Sequence, residues 1–250
     1  MRKVKIRMNR IVDLTKKAGR WAVQLLYPLH CPVCDEIVRP WGEKVCPDCL
    51  PKLKLLTPPW CMQCGKKLSE EAEFCSDCQA KEHNFIRGRS LYEYGSAAAS
   101  IYKFKYGGRR EYASFYGEQM TEYLGDFIRR IHPDGLMPIP LHPRRKAVRG
   151  YNQAELLAGE IGKKIGIPVY TKMLKRIKNT APLKKLNPKE RQNNLKKAFN
   201  ISGNDVKLKT IILVDDIYTT GSTIDEAAKT LKEAGVENVY FVALACGAGI

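Results

Sequence analysis

The chain has 250 residues, enough for one core of good size plus a small appended module, and it carries a net charge of +17 and nine cysteines. No run approaches the roughly 20 apolar residues that span a bilayer. The apolar stretch at 21–29 is broken by Gln24 and Pro28 and lacks the pattern of a cleaved export signal, so a cytoplasmic chain with reduced or metal-bound cysteines is expected rather than a transmembrane or secreted disulfide-scaffold one.

The positive charge is clustered. Residues 1–30 hold eight Lys/Arg against Asp13, residues 172–197 hold ten against Glu190, and residues 144–149 hold four with no acid. Such clusters point to an anionic partner: nucleic acid, pyrophosphate or an anionic membrane surface. For any single cluster, a solvated basic loop is the plainer alternative.

Residues 1–28 read as a basic amphipathic helix, with Ile11, Leu14, Ala18, Trp21, Ala22 and Leu25 near one face. Such a helix suits a membrane surface, DNA or docking on its own domain. Residues 29–84 hold a cysteine block: Cys31-x2-Cys34, an eleven-residue gap, Cys46-x2-Cys49, then Cys61-x2-Cys64, a ten-residue gap and Cys75-x2-Cys78. The two halves repeat one unit. A C-x-x-C knuckle aims two thiolates at one point, and two knuckles complete a tetrahedral Zn(II) site. Two closed, structural zinc sites are expected, with redox cysteines or an iron–sulfur cluster as alternatives. Sequential pairing of the knuckles is simpler, and interleaved pairing stays open. His83 falls just outside the spacing and reads as a surface histidine.

Residues 85–250 change character. Arg89–Tyr94 reads as a strand, Ser96–Tyr106 as a short helix, and Glu111–Ile131 as a long amphipathic helix whose aromatics, Tyr112 to Phe127, belong to a core rather than to a stacking surface. Lys103, Lys105, Arg109 and Arg110 gather at the turn between these helices, either for an anion or for solvent. A second strand, Leu136–Pro140, empties into a loop at His142–Gly150, and a helix runs from Asn152, its N-cap, to Ile165. Guanidinium forks suit phosphate oxygens, which makes Arg144, Arg145 and Arg149 anion candidates. Residues 171–200 form a long basic connection of the kind that serves as a lid. Val239–Ala245 reads as the last strand, with the unpaired Cys246 as a small core residue.

The densest chemistry lies at 210–223, TIILVDDIYTTGST. Ile211–Val214 reads as a buried strand running into Asp215 and Asp216; Thr219, Thr220, Gly221, Ser222 and Thr223 then lead into a helix over Ile224–Ala234. A helix N-terminus offers unpaired N–H groups to a phosphate, glycine lets the backbone close around it, and hydroxyls add donors. The carboxylates sit where sugar hydroxyls or a metal would be held. One serine would suffice for capping alone, so a sugar-phosphate site is expected. The loop resembles the 5-phosphoribosyl-1-pyrophosphate (PRPP) loop of type I phosphoribosyltransferases.

Taken together, CPVC…CPDC, CMQC…CSDC, FKYGGRR, IPLHPRRKAVRGYNQAELLA, LKRIKNTAPLKKLNPKERQNNLKKAF and VDDIYTTGST resemble the ComF family of competence proteins, ComFC type, over residues 24–246. The resemblance implies an α/β fold: a type I phosphoribosyltransferase-like parallel sheet flanked by helices over 85–250, with an N-terminal double zinc ribbon over 29–84. It implies that Asp215 and Asp216, the catalytic candidates, meet the ribose hydroxyls and Mg(II). It further implies that Thr219, Thr220, Gly221, Ser222 and Thr223 cradle the 5-phosphate, with Arg144, Arg145 and Arg149 near pyrophosphate. Arg176, Lys178 and Arg191 are lid candidates. The lid departs from the family's R-x-R-x-T-x-x-Q: here Lys178 and Leu183 stand for the second arginine and the glutamine, so charge is kept and the guanidinium fork lost.

Three functions follow from these readings. The first is a DNA-uptake protein that binds single-stranded DNA and uses or senses PRPP, in the cytoplasm or at the inner face of the membrane beside the uptake machinery. The second is a phosphoribosyltransferase of nucleotide metabolism. The third is a non-enzymatic PRPP-binding regulator. No hood dedicated to a nucleobase is evident beyond the ribbons and the lid, which favours the first.

Overall fold

The computed structural model describes residues 28–68, 72–178, 197–202 and 207–247. The expected N-terminal helix, most of the lid and Arg191 lie outside the described residues.

The two halves of the cysteine block fold alike. Cys31 N donates to Glu36 O at 2.8 Å and Cys61 N to Lys66 O at 2.7 Å, while His30 bridges Ile37 as Trp60 bridges Lys67. The fourth residue after each leading cysteine is left-handed, Asp35 at φ 69° and Gly65 at φ 72°. That turn folds each knuckle back on itself. The Sγ atoms of Cys31, Cys34, Cys46 and Cys49 lie within 4.8 Å of one another, and so do those of Cys61, Cys64, Cys75 and Cys78. Pairing is therefore sequential. Zn–S bonds of about 2.3 Å in a tetrahedron place sulfurs about 3.8 Å apart. Here Cys34 and Cys46 are 4.0 Å apart and Cys64 and Cys75 are 3.6 Å apart, so both donor sets fit structural zinc.

After a short helix α1 (Ser76–Ala80), the elements run β1 (Arg87–Glu93), α2 (Tyr94–Tyr106), α3 (Tyr112–Ile131), β2 (Gly135–Pro138), α4 (Pro143–Arg149) and α5 (Gln153–Ile165). They continue β3 (Leu174–Arg176), β4 (Phe199–Ile201), β5 (Thr210–Tyr218), α6 (Ser222–Glu233) and β6 (Asn238–Cys246). Strands β1, β6, β5 and β2 form one parallel sheet in that order, with Ile211 of β5 between Gly135 and Val239. β5 and β6 are apolar on both faces, as strands covered on both sides must be. Ile212, Val214, Val242 and Leu244 pack with Tyr116 and Met120 of α3, with Leu157 and Ile161 of α5, and with Cys31 and Cys49. Ile211, Leu213, Phe241 and Ala243 pack with Ile224 and Leu231 of α6, Leu174, Phe199, Cys61 and Cys64. One ribbon thus serves each face of the sheet.

The chain between the ribbons closes the β1 edge. Leu55 bridges Tyr92 antiparallel, and Leu56 N donates to Leu91 O at 2.8 Å, so those backbone groups of β1 are not left to another chain. In β1 itself, a Cβ on Gly88 would lie 1.9 Å from the Phe241 ring, so only glycine lets the sheet and that ring meet.

The strands and long helices match the sequence expectation within a few residues, and α3 buries Tyr112, Phe115, Tyr116, Met120, Leu124 and Ile128 as core, whereas Tyr123, expected there too, is 51% exposed. Cys246 is buried, as expected. Three features differ. His142–Gly150 is not a loop but carries the helix α4, started by Pro143 and capped by His142, whose Nδ1 accepts from Arg144 N. The basic connection is bounded by an antiparallel pair, β3 with β4, whose three-residue strands are too short to show a period. And β5 runs on through the acids to Tyr218 rather than stopping at Val214. No helix among the described residues is long and apolar enough to cross a membrane.

Metal analysis of the purified protein should find two zinc ions per chain, one for each four-cysteine cluster. A single zinc per chain would show that one cluster is not a metal site.

Candidate functional site

Strand β5 delivers Asp215 and Asp216 to the carboxyl end of the sheet, and the chain then turns over Thr219–Gly221 into α6. Gly221 caps α6 at φ 75°, and a Cβ there would lie 2.7 Å from the Tyr218 hydroxyl and 3.3 Å from His83 Cε1. Glycine is thus required twice, by conformation and by space. Asp225 N donates to Gly221 O at 2.8 Å, closing the first turn of α6. Thr220 Oγ1 and Ser222 Oγ are 3.0 Å apart. Asp215, Thr219, Thr220, Gly221, Ser222 and Thr223 line an open concavity at the N-terminus of α6. Its polarity suits a phosphate-bearing ligand.

The two acids are neighbours in sequence but answer to different elements. Asp216 Oδ1 takes an ion pair at 2.8 Å from Lys105 Nζ, at the end of α2. Asp215 Oδ1 accepts from the Asp216 N–H at 2.8 Å. Burial first, and then the Asp216 charge, push the Asp215 carboxyl up to about 7. Lys105 and Arg176 pull the other way and do not compensate. A half-buried carboxylate short of cations is suited to receiving one.

Cations converge on this end from two further elements. Arg176 of β3 is buried, and burial, then Arg145, lower its pKa to about 10 while the nearby Asp215 raises it. Arg149 lies close enough to lower it too. Arg145 and Arg149 of α4 are half-buried and Arg144 is exposed. Arg149 Nη2 donates to the Tyr106 hydroxyl at 2.9 Å. A buried polar network holds these parts in place: Tyr151 Oη and Gln153 Nε2 both donate to Phe104 O, at 2.6 and 3.0 Å, and Asn152 Nδ2 donates to Ile139 O at 3.0 Å. Asn152 also caps α5, its Oδ1 accepting from Ala154 N at 3.2 Å.

The structure therefore brings together Asp215, Asp216, the 219–223 loop, Arg145, Arg149 and Arg176. Lys178 is exposed at the start of the lid. The basic turn after α2 is neither an open anion site nor mere solvent surface. Lys103 and Arg109 pair with Asp35 of the first ribbon at 3.1 and 2.8 Å, Lys105 pairs with Asp216, and the Arg110 guanidinium lies 5.4 Å from the Tyr151 ring centre. His83 is a correction as well. Its side chain is 1% exposed, its Nδ1 is 2.7 Å from Asp225 Oδ2, and its ring stacks on Phe85 at 4.6 Å. Lys81 pairs with the same carboxylate, and Asn84 N donates to its other oxygen at 2.9 Å. A histidine outside a cysteine spacing gives no local sign of a partner more than a hundred residues away.

Comparison with known proteins agrees with this architecture. Residues 22–79 match the family described as "Double zinc ribbon domain", and residues 157–248 match "Phosphoribosyl transferase domain". Competence protein F of Haemophilus influenzae is 31% identical over 208 residues, covering 80% of this chain and 90% of its own length. Competence protein ComFC of Bacillus subtilis is 31% identical over 233 residues, covering 84% and 91%. DNA utilization protein YhgH of Salmonella typhimurium is 28% identical over 183 residues, covering 72% and 80%. With two four-cysteine ribbons on a parallel phosphoribosyltransferase-type sheet, and with that identity over nine-tenths of a competence protein's length, the chain belongs to the ComF family.

Proposed function

We propose that this protein takes part in DNA uptake, binding PRPP with Mg(II) at the 215–223 loop and single-stranded DNA on its basic surface. The observation that carries the PRPP reading is the sequence of groups along one turn: a carboxylate pair, a hydroxyl-rich loop and a helix N-terminus, flanked by Arg145, Arg149 and Arg176. In that reading Thr219–Thr223 hold the 5-phosphate, the acids hold the ribose hydroxyls and the metal, and the arginines face the pyrophosphate. Mg(II), when bound, neutralises the acids and the pyrophosphate together. Lys105 would then share Asp216 with the ligand, so binding exchanges one ion pair for another. The DNA half draws on the names of the relatives and on the clustered positive charge. The place of action in this reading is the cytoplasm, beside the uptake machinery at the membrane face.

Phosphoribosyl transfer is the second reading, favoured by the burial of Arg176 beside Asp215 at the root of the lid. Pyrophosphate release when nucleobases are supplied would be its signature.

PRPP with Mg(II) should raise the thermal midpoint of the wild-type protein, and the double substitution Asp215→Asn, Asp216→Asn should abolish that shift with zinc content unchanged. An undiminished shift in the double variant would overturn the assignment of the acids. The pH dependence has a definite sign. A carboxyl whose folded-state pKa is raised makes the ligand-free protein lose stability as pH rises from the ordinary carboxylate range towards about 7. Metal needs the ionised form, so Mg(II)-dependent PRPP binding should strengthen over about pH 6–8 with proton release, and Asp215→Asn should flatten that slope. Single-stranded DNA should bind at low salt and weaken steeply as salt rises; no binding at low salt would remove the DNA half of the proposal.

A further inference from the structure

Five tyrosines of this chain, Tyr92, Tyr112, Tyr116, Tyr151 and Tyr218, are buried, as large aromatic side chains in a core should be. Tyr102 and Tyr106 on α2 are 63% and 58% exposed. They lie one helical turn apart, so their rings leave the same face, with centroids 5.0 Å apart and planes at 48°. The Arg149 guanidinium sits 4.8 Å from the Tyr106 ring centre. Arg149 belongs to α4, whose seven residues include Arg144, Arg145 and Lys146 and no acid. Lys103 and Lys105 of α2 pair with Asp35 and Asp216, and Lys146 of α4 pairs with Glu155 at 2.8 Å. The cationic border of the tyrosine step is formed by Arg149 of α4.

Exposed rings one turn apart, bordered by guanidinium groups, match what a single strand presents: bases with free faces joined by phosphates. A duplex offers the phosphates but no free faces. The position also matters, because Arg149 is near Arg176, which is beside Asp215, so the step borders the arginine side of the loop.

We propose that Tyr102 and Tyr106, with Arg149 laid against the second ring, form a stacking platform for successive bases of single-stranded DNA. The platform guides the strand along α4 towards the 215–223 site. This rests on the single-strand half of the proposed function and adds where the bases are held.

The test uses the full chain and a labelled oligothymidylate in low salt, read by fluorescence anisotropy. Tyr102→Ala with Tyr106→Ala should weaken binding about ten-fold or more, while Tyr102→Phe with Tyr106→Phe, which keeps both ring faces, should stay within about two-fold of wild type. Tyr102→Ala alone, which leaves Arg149 its ring, should lose part of the affinity. The salt dependence of the alanine variant should keep its slope, since no phosphate contact is removed. Its zinc content and its ligand-free thermal midpoint should stay close to wild type, which shows that the variant is folded. If the alanine variant binds single strands as tightly as wild type, or if the phenylalanine variant is equally weak, the platform is wrong and single-strand binding still stands. If the wild-type protein binds no single strand at low salt, both fall.

Discussion

Two adjacent carboxylates on a strand buried among apolar side chains are a like-charge problem that the rest of the fold must answer. Burial and the neighbouring Asp216 charge act in the same direction and push the Asp215 carboxyl up. Lys105 answers Asp216 with an ion pair whose side chains are only 16% and 13% exposed. Removing one partner of such a pair costs on the order of 3–5 kcal/mol. Asp215 receives no comparable partner, and its carboxyl stays high. This imbalance leaves the end of β5 with an uncompensated carboxyl rather than a closed structural cluster.

The elements around the acids follow from that need. Lys105 can reach Asp216 only if the end of α2 is fixed, and Phe104 is fixed by Tyr151 and Gln153, which come from the segment that also carries α4. The guanidinium groups of Arg145 and Arg149 on α4 lie close to that of Arg176 on β3. The ribbons enter the same network from both faces. Asp35 of the first takes Lys103, Arg109 and the Tyr112 hydroxyl; burial opposes its charge, but those hydrogen bonds outweigh burial and hold its carboxyl well below the usual carboxylate range. On the other face, Lys81, His83 and Asn84, just after the second ribbon, meet at Asp225 in the first turn of α6. The ribbons are thus tied to the two helices that border the site.

Much of this was legible in the chain itself. Local signals carried it: four C-x-x-C pairs at repeating spacing, two apolar strands each followed by a polar turn and a capped helix, and a glycine among hydroxyls. Asn152 was readable as a cap because capping acts over two or three residues. The strands β3 and β4 were not readable, since three residues show no period. Nor was α4, where a dense run of arginines looks like a loop until Pro143 and His142 are seen to start a helix.

The donor sets, the acid pair and the phosphate-suited turn can be read from the chain alone, because each is written in residues close together. Which cations meet which acids depends on the folded arrangement. Lys105 and Asp216, Arg109 and Asp35, and His83 and Asp225 are separated by 111, 74 and 142 residues. Charge type is a property of a residue, but pairing depends on where two distant backbones are held. Here the sheet order and the docked ribbons hold them. The same placement leaves Tyr102 and Tyr106 exposed on α2.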